Sequence, residues 1–121
     1  MKKKILIVED DADTSKMLGY IADELHCEAI RSLHGLSVHD VRAIPPDLIL
    51  LDHWLGNTTG SNICAVLKNN PETKHIPIIM LSAESTIKEI AKAYCAEDYI
   101  QKPFDVNMLE RTIKKFLRVK K

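Results

Sequence analysis

The sequence predicts an α/β protein of three layers, in which helices cover both faces of a parallel sheet. Apolar runs such as ILIV (5–8) and LILL (48–51) are uninterrupted, which is typical of strands buried on both faces. Five predicted strands also alternate strictly with five segments of helical periodicity. This alternation favours a doubly wound sheet, and right-handed crossovers leave only a few possible strand orders.

The strands are predicted from apolar and β-branched runs that end at polar or turn residues. They comprise residues 4–9, 28–32, 47–52, 76–82 and 98–101. The segment EAIRS (28–32) is a weaker pattern, whereas DLILLD (47–52) and IPIIMLS (76–82) predict fully buried strands.

The helices are predicted from apolar residues that repeat three and four positions apart. Asp11 or Asp13 can cap the first helix, Pro45-Pro46 stops the second (36–44), and Asp105 caps the last. The third helix ends near residues 69–71. The predicted apolar faces are Met17, Leu18, Ile21 and Leu25 in the first helix, Ile63, Val66 and Leu67 in the third, Ile87, Ile90, Ala91 and Tyr94 in the fourth, and Leu109, Ile113, Phe116 and Leu117 in the fifth.

The composition indicates one globular domain over residues 1–121, since the chain has no linker, repeat or low-complexity segment. We expect no output domain. Lys and Arg together number 17, as do Asp and Glu, so the net charge of zero excludes the general basic field of a nucleic-acid binder. The basic end, residues 114–121, is expected to be a solvated helix terminus.

The three cysteines, Cys27, Cys64 and Cys95, are odd in number and far apart, which excludes a disulfide framework or a zinc site. They are expected to be free, buried thiols in a reducing compartment. The four apolar residues after MKKK are too few for a signal peptide, and no run is long enough to cross a membrane. We therefore expect a cytoplasmic protein without membrane or direct nucleic-acid contact.

Polar side chains stand at the carboxyl ends of four predicted strands: Glu9 and Asp10, Asp52, Ser82 and Lys102. Parallel strands end at one edge of the sheet, so these residues should share one site. Three carboxylates in a cleft repel one another and require a counter-ion. Mg²⁺ suits this set because it accepts one or two carboxylates, several waters and phosphate oxygens, whereas calcium needs more oxygen ligands.

The same residues predict phosphoryl-transfer chemistry. An ionised Asp52 is already a nucleophile and can form an acyl phosphate. Lys102 supplies a compact charge for phosphate, and Ser82 can donate a hydrogen bond to a phosphoryl oxygen. Singly, each residue has an ordinary alternative: the acidic pair or Ser82 can cap a helix, and Lys102-Pro103 can be a turn. Together, five suitable residues at the ends of four predicted strands favour the shared site.

At these residues the sequence resembles the receiver domain of two-component response regulators, from KILIVEDD through LILLDHWLGNTTG and IIMLSA to DYIQKPF. The resemblance implies a flavodoxin-like (βα)5 fold with strand order 2-1-3-4-5. It implies that Asp52 receives a phosphoryl group from a sensor histidine kinase or a phosphotransfer protein. The chain would then be no conventional enzyme, although it would catalyse its own phosphorylation and slow dephosphorylation.

The resemblance also implies a set of ligands for Mg²⁺. Asp10 would bind the ion directly and Glu9 through water. Asp52 would be a second direct ligand, and the backbone carbonyl of Trp54 a third.

A switch is implied by the same resemblance. Ser82 would move towards the phosphoryl group and let Tyr99 rotate inward, while Lys102 matches the family's lysine and its peptide bond to Pro103 would be cis. The responding face would be the fourth helix, fifth strand and fifth helix. A homodimer could form through this face, with charges from Lys88, Asp98, Arg111 and Lys115.

Three residues depart from the family pattern. Gly56 replaces a usual proline and should loosen the loop after Asp52. Cys95 replaces a usual glycine before the last strand. Trp54 is bulky and is expected to restrict attacking water, so Trp54→Asn should speed decay of the acyl phosphate; an unchanged decay rate would contradict this.

Three alternatives remain at this stage. A pseudo-receiver would use the same fold without phosphorylation, although it would have no need of the intact acidic pair, Asp52, Ser82 and Lys102. A flavin carrier of similar topology needs a phosphate-binding loop, and the acidic loop EDDAD (9–13) would repel phosphate. A metal-dependent phosphatase needs a cap domain or a second acid near Asp52, and His53 should face the opposite way.

Overall fold

A computed structural model of the chain describes residues 2–32, 38–43, 45–53, 55 and 58–117, without the side chains of residues 38 and 39. Trp54, Gly56, the ends of the predicted second helix and the last four residues of the basic end lie outside this described part.

The described residues form the alternating elements that the sequence predicts. The strands are β1 (Lys4–Val8), β2 (Glu28–Ser32), β3 (Leu48–Asp52), β4 (Ile78–Ser82) and β5 (Asp98–Gln101). The helices are α1 (Ala12–Glu24), α2 (Val38–Ala43), α3 (Gly60–Lys68), α4 (Ile87–Ala93) and α5 (Val106–Leu117). All strand pairs are parallel, and the order β2-β1-β3-β4-β5 confirms the expected doubly wound sheet.

The sheet divides the core into two apolar clusters, because successive strand side chains point to opposite faces. In β1, Ile5 and Ile7 belong to one cluster, and Leu6 and Val8 to the other. Residues of α1 and α5 complete the first cluster, and residues of α2, α3 and α4 complete the second. Both β3 and β4 are buried along their whole length, as their uninterrupted apolar runs predict.

The strand register brings the carboxyl ends of the central strands to one edge. Val8 of β1 pairs with Leu51 of β3, so Glu9 and Asp52 follow as neighbours on adjacent strands. On the other side of β3, Ser82 ends β4 one position beyond the partner of Asp52. The predicted convergence of polar residues therefore follows from the pairing of apolar residues that precede them.

Local hydrogen bonds begin the helices that flank this edge. Asp11, rather than Asp13, caps α1 by accepting the Thr14 N–H at 2.9 Å. Thr59 caps α3 in the same manner through the N–H of Asn62. Asp105 accepts the Asn107 N–H at 2.7 Å, which agrees with its predicted role before α5.

Three residues that the periodicity places on apolar helix faces are exposed. Met17 of α1 is 40% exposed, Val66 of α3 is 55% exposed, and Tyr94, the residue after α4, is 40% exposed. Met17 and Val66 lie at the margins of the apolar stripes of their helices, whereas Tyr94 lies beyond the last residue of α4. The sheet covers only a narrow stripe along each helix and does not extend past the helix end. The prediction that these three residues are buried is therefore wrong.

The cysteines are free, but they are not all buried. Cys27 and Cys64 are buried, whereas Cys95 is exposed, so the expectation of a buried thiol is wrong at Cys95. Cys95 follows the end of α4 in the turn before β5, where a side chain reaches solvent. No helix in the described part of the chain has both the length and the apolar composition to span a bilayer.

Candidate functional site

The side chain of Lys102 joins the carboxyl edges of β1 and β3. Its Nζ donates to Glu9 Oε1 at 2.8 Å and to Asp52 Oδ1 at 3.1 Å. Lys102 reaches this position because it follows β5, and its backbone N–H donates to the carbonyl of Ser82 at the end of β4. The site is therefore assembled from four consecutive strands of the sheet.

Two of the three carboxylates of this site are buried at the strand ends. Glu9 is 1% exposed and Asp52 is 5% exposed, whereas Asp10 is open to solvent. Glu9 is also held from the other side, since its Oε2 accepts the N–H of Asp11 at 3.2 Å. Both oxygens of Glu9 therefore have partners, while the side chain of Asp10 is exposed to solvent.

Burial sets the protonation of this cluster. Desolvation raises the pKa of Glu9 and of Asp52, and the hydrogen bonds and charge of Lys102 offset this only in part. Desolvation alone would lower the pKa of Lys102, but the two carboxylates outweigh it and raise the pKa of the ammonium. The site thus holds an ammonium and two carboxylates whose ionisation is costly.

The three carboxylates fit a hard divalent cation. Oxygens of Glu9, Asp10 and Asp52 lie within 4.8 Å of one another, and they form a metal-compatible group among the described residues. Carboxylate oxygens are the donors that Mg²⁺ prefers, and a cation would relieve the desolvated charge of Asp52. Trp54, whose carbonyl was the remaining expected ligand, lies outside the described residues.

Ser82 is buried beside this cluster at the end of β4. It is 1% exposed, and its Oγ accepts the N–H of Glu84 at 3.1 Å. A hydroxyl that accepts one hydrogen bond still has a proton to donate. The structure does not use Ser82 as a helix cap, because α4 begins at Ile87 after Thr86.

Tyr99 occupies the middle of the edge strand β5. The side chain of Tyr99 is half-buried and packs against the second core cluster, on the side of the sheet that α4 covers. Its backbone pairs with Met80 of β4, and it lies two positions before Gln101, the last residue of β5. One part of the Tyr99 side chain therefore contacts apolar residues, and the other part is exposed to solvent.

Gly60, the first residue of α3, is a site residue that the sequence pattern does not single out. A Cβ at this position would collide with the carbonyl oxygen of Asp52 and press on His53. The Gly60 N–H donates to the His53 carbonyl at 2.6 Å, which fixes the turn directly behind the acidic site. The signal was present as a glycine at the end of the loop LGNTTG (55–60), immediately before a helix.

Glu84 is a second residue that sequence reasoning did not single out. Its Oε1 lies 3.7 Å from Nε2 of the buried His53, and its N–H reaches Ser82. The loop between β4 and α4 is therefore tied to the ends of both β3 and β4. No spacing in the sequence could indicate this contact, because it depends on the pairing of the two strands.

The backbone has an unusual geometry at Lys102–Pro103 and at Cys95. The Lys102–Pro103 peptide bond is cis, in agreement with the resemblance. Cys95 has a φ of 65°, in the left-handed region that favours glycine, so it retains the backbone conformation expected of the residue it replaces.

Residues 5–114 match the family profile described as the response regulator receiver domain. The polar-differentiation response regulator DivK of Brucella anthropi is 35% identical over 97% of this chain and 98% of its own length. Among solved structures, the receiver domain of a signal transduction histidine kinase from Syntrophus aciditrophicus is 27% identical, with a TM-score of 0.86 over 96% of this chain and 90% of that one.

A third protein is similar in fold. The receiver domain of the sensor histidine kinase PA1611 from Pseudomonas aeruginosa PAO1 is 22% identical, with a TM-score of 0.87 over 98% of this chain and all of that one. Its crystal structure holds a magnesium ion coordinated in the active-site cleft. At this identity the likeness establishes a common fold.

Proposed function

The chain belongs to the response regulator receiver domain family, and from that premise we propose that Asp52 accepts a phosphoryl group from a phosphohistidine. The donor would be a sensor histidine kinase or a phosphotransfer protein, which are the general donors of this family. The observation that supports this proposal best is the placement of Asp52. It ends a fully buried strand, 3.1 Å from an ammonium and within a group of three carboxylates.

The transfer replaces one bond to phosphorus with another. An oxygen of the Asp52 carboxylate attacks phosphorus, a P–O bond forms, and the P–N bond to the donor histidine breaks. The leaving imidazole nitrogen keeps the electron pair of the broken bond. No general base is needed at Asp52, because a carboxylate is nucleophilic once it is ionised.

The other residues position the reactants and balance charge. Lys102, which contacts Asp52, would bind the phosphoryl oxygens through its positively charged ammonium group. Ser82 would donate its hydroxyl proton to one of those oxygens, from a buried position at the next strand end. Glu9 and Asp10, with Asp52, would hold Mg²⁺. Bound Mg²⁺ would supply neutralisation of the phosphoryl charge.

The contacts of Glu9 favour an indirect role for this residue at the ion. One oxygen of Glu9 accepts from Lys102 and the other from the N–H of Asp11. Asp10, being exposed, is free of this constraint on its orientation and would be the direct ligand. Glu9 would then act through a bound water while keeping Lys102 in place.

Phosphorylation would also act on the loop between β4 and α4. Ser82 must exchange its present environment for a contact with the phosphoryl group, and Glu84 is attached to Ser82 through its N–H. Movement of this loop would alter the packing of Tyr99 beside α4. We propose the surface of α4, β5 and α5 as the face that responds, with a coupling of about 1–3 kcal/mol.

The phosphorylation-independent module is the competing function, and no observation favours it. A small phosphodonor such as acetyl phosphate, supplied with and without Mg²⁺, distinguishes the two. We expect one phosphoryl group per chain by intact mass, only with Mg²⁺, and none in Asp52→Asn. The exposed Asp13→Asn serves as a matched control and should label normally. Labelling of Asp52→Asn at the wild-type stoichiometry would overturn the assignment.

Several expectations remain predictions. They are the single-domain organisation of residues 1–121, the cytoplasmic location, and a homodimer through the α4, β5 and α5 surface. The identity of the kinase can be approached by phosphotransfer profiling against the histidine kinases of the host.

A further inference from the structure

A groove lies at the edge of the sheet opposite to Asp52. Its volume is about 690 Å³, and it runs between the end of α3 and the turn that leads from α4 into β5. Lys68, His75, Tyr94 and Cys95 are among the residues that line it. This groove shares no residue with the acidic site, since it is formed at the amino ends of β4 and β5.

The sulfur of Cys64 lies close to the backbone of Cys95 beside this groove. The Sγ of Cys64, a fully buried residue of α3, donates to the carbonyl oxygen of Tyr94 at 3.2 Å. That oxygen and the Cα of Cys95 belong to one planar peptide unit and lie about 2.8 Å apart. The Cys64 sulfur is therefore within about 6 Å of the Cys95 Cα, by the sum of these two distances.

The two sulfurs occupy different environments. Burial raises the pKa of the Cys64 thiol to about 11; Lys68 opposes this shift, and the nearby Glu97 and Cys95 add to it. Cys95 is exposed and lines the groove. The thiol of Cys95 is thus accessible to small reagents, whereas the thiol of Cys64 is shielded from solvent.

The backbone at Cys95 gives an independent reason to look for a role of its side chain. Its φ of 65° lies in the left-handed region, which a residue with a Cβ occupies at an energetic cost. The local geometry alone would favour glycine at this turn. A cysteine here places a thiol on the turn beside a second thiol.

We propose that Cys64 and Cys95 form a dithiol that hydrogen peroxide, as a two-electron oxidant, converts into an intramolecular disulfide. The sulfur of Cys95 attacks one peroxide oxygen, the O–O bond breaks, and a sulfenic acid and water result. The sulfur of Cys64 then attacks the sulfenic sulfur, losing its proton as the S–S bond forms and a second water leaves. Two thiols and one peroxide thus give one disulfide and two waters.

Such a bond would tie the middle of α3 to the turn before β5. Cys64 must leave its hydrogen bond to Tyr94, and the turn must shift to bring the sulfurs to bonding distance. The carboxyl edge of the sheet lies at the other end of β5. Phosphodonor labelling of Asp52 should therefore persist in the oxidised protein, whereas formation of the disulfide itself does not depend on the proposed function.

The test is oxidation of the full chain by hydrogen peroxide, followed by thiol titration and peptide mapping without reductant. The wild type should fall from three thiols to one and yield a peptide pair joining Cys64 to Cys95. Cys27→Ser, which changes the thiol in the other core cluster, should fall from two to none. Cys95→Ser should keep both of its remaining thiols during the same exposure.

Other products would overturn the inference. A dimer linked through Cys95 with Cys64 still reduced, or a sulfinic acid on Cys95 as the end product, would show that Cys64 does not respond. A disulfide that includes Cys27 would show that oxidation proceeds through unfolding. Far-ultraviolet circular dichroism of each variant before oxidation verifies that it is folded.

Discussion

Lys102 lies 3.1 Å from Asp52, although 50 positions separate the two residues in the chain. The same ammonium is 2.8 Å from Glu9, so one positive charge serves two buried carboxylates. This ratio leaves the site short of positive charge when both acids are ionised. Desolvation raises the pKa of each carboxyl, and the single ammonium offsets this only in part, so a cation or a proton should stabilise the site.

Removal of the ammonium should make the metal-free protein less stable. Lys102→Met leaves Glu9 and Asp52 without their shared donor, and we expect a loss of about 1–3 kcal/mol in the free energy of unfolding near neutral pH. Mg²⁺ should recover more stability in Lys102→Met than in the wild type, because no ammonium competes for the carboxylates. Urea unfolding with and without Mg²⁺ measures both quantities.

Lys88→Met, which removes an exposed lysine of α4, is the control and should change neither quantity appreciably. If Lys102→Met were as stable as the wild type without metal, the ammonium would not be compensating the buried acids.

Neutralising Asp52 should stabilise the metal-free fold near neutral pH. Folding raises the pKa of Asp52, so its protonated form favours the folded state below the ordinary value of 3.8. This contribution is lost as the pH rises through the raised pKa. Asp52→Asn avoids the loss, and we expect it to gain on the order of 1 kcal/mol near neutral pH.

The size of this effect depends on pH, and Mg²⁺ can reverse its sign. The advantage of Asp52→Asn should shrink as the pH falls towards 3.8, where the wild-type carboxyl also becomes neutral. Saturating Mg²⁺ should stabilise the wild type and reduce or reverse the difference. A variant that is less stable than the metal-free wild type throughout this range would contradict the desolvation argument.

Gly60 and Gly19 should respond in opposite ways to alanine. A Cβ at Gly60 collides with the backbone of Asp52, so Gly60→Ala should cost about 2 kcal/mol or more and reduce Asp52 labelling. A Cβ at Gly19 meets only the flexible side chain of Arg31, at 3.4 Å. Because Gly19 is inside α1, Gly19→Ala should gain about 0.5–1 kcal/mol and label normally.

Thermal unfolding and phosphodonor labelling of the two variants provide this comparison. Equal stability of Gly60→Ala and the wild type would show that the turn behind Asp52 can move without cost.

A lysine at the opposite edge should stabilise the fold without affecting the chemistry. The Nζ of Lys68 donates to Glu97 at 2.7 Å and to the carbonyls of Lys74 and Ile76 at 3.0 and 2.9 Å, and its side chain is only 10% exposed. Lys68→Met should lower the free energy of unfolding by about 1–3 kcal/mol. The rate of Asp52 labelling should stay the same, since the site is at the other ends of the strands.

The exposed ion pair between Arg42 and Glu72 is the matched comparison. Arg42→Met should change stability by less than about 1 kcal/mol, because solvent screens an exposed pair. Similar losses in Lys68→Met and Arg42→Met would mean that the burial of Lys68 adds nothing.

The alternation of strands and helices, the burial of β3 and β4, and the polar strand ends were all predictable from the chain. Each depends on short-range pattern: an uninterrupted run such as LILL indicates a strand covered on both faces, and parallel strands necessarily end together. The resemblance to receiver domains then supplied the strand order. Asp11 and Asp105 also accept backbone N–H groups at the starts of α1 and α5, as their residue types predict.

Other features were settled only by the tertiary structure. Exposure of Met17, Val66 and Tyr94 depends on how much of each helix the sheet covers, which periodicity does not specify. The collision that forbids a side chain at Gly60, and the sharing of Lys102 between two acids, depend on strand register and loop path. Sequence therefore determined which groups reach the carboxyl edge. The long-range packing of the strands decided which atoms meet there, because a hydrogen bond forms only when its two heavy atoms lie about 3 Å apart and the energy of an ion pair falls as its charges separate.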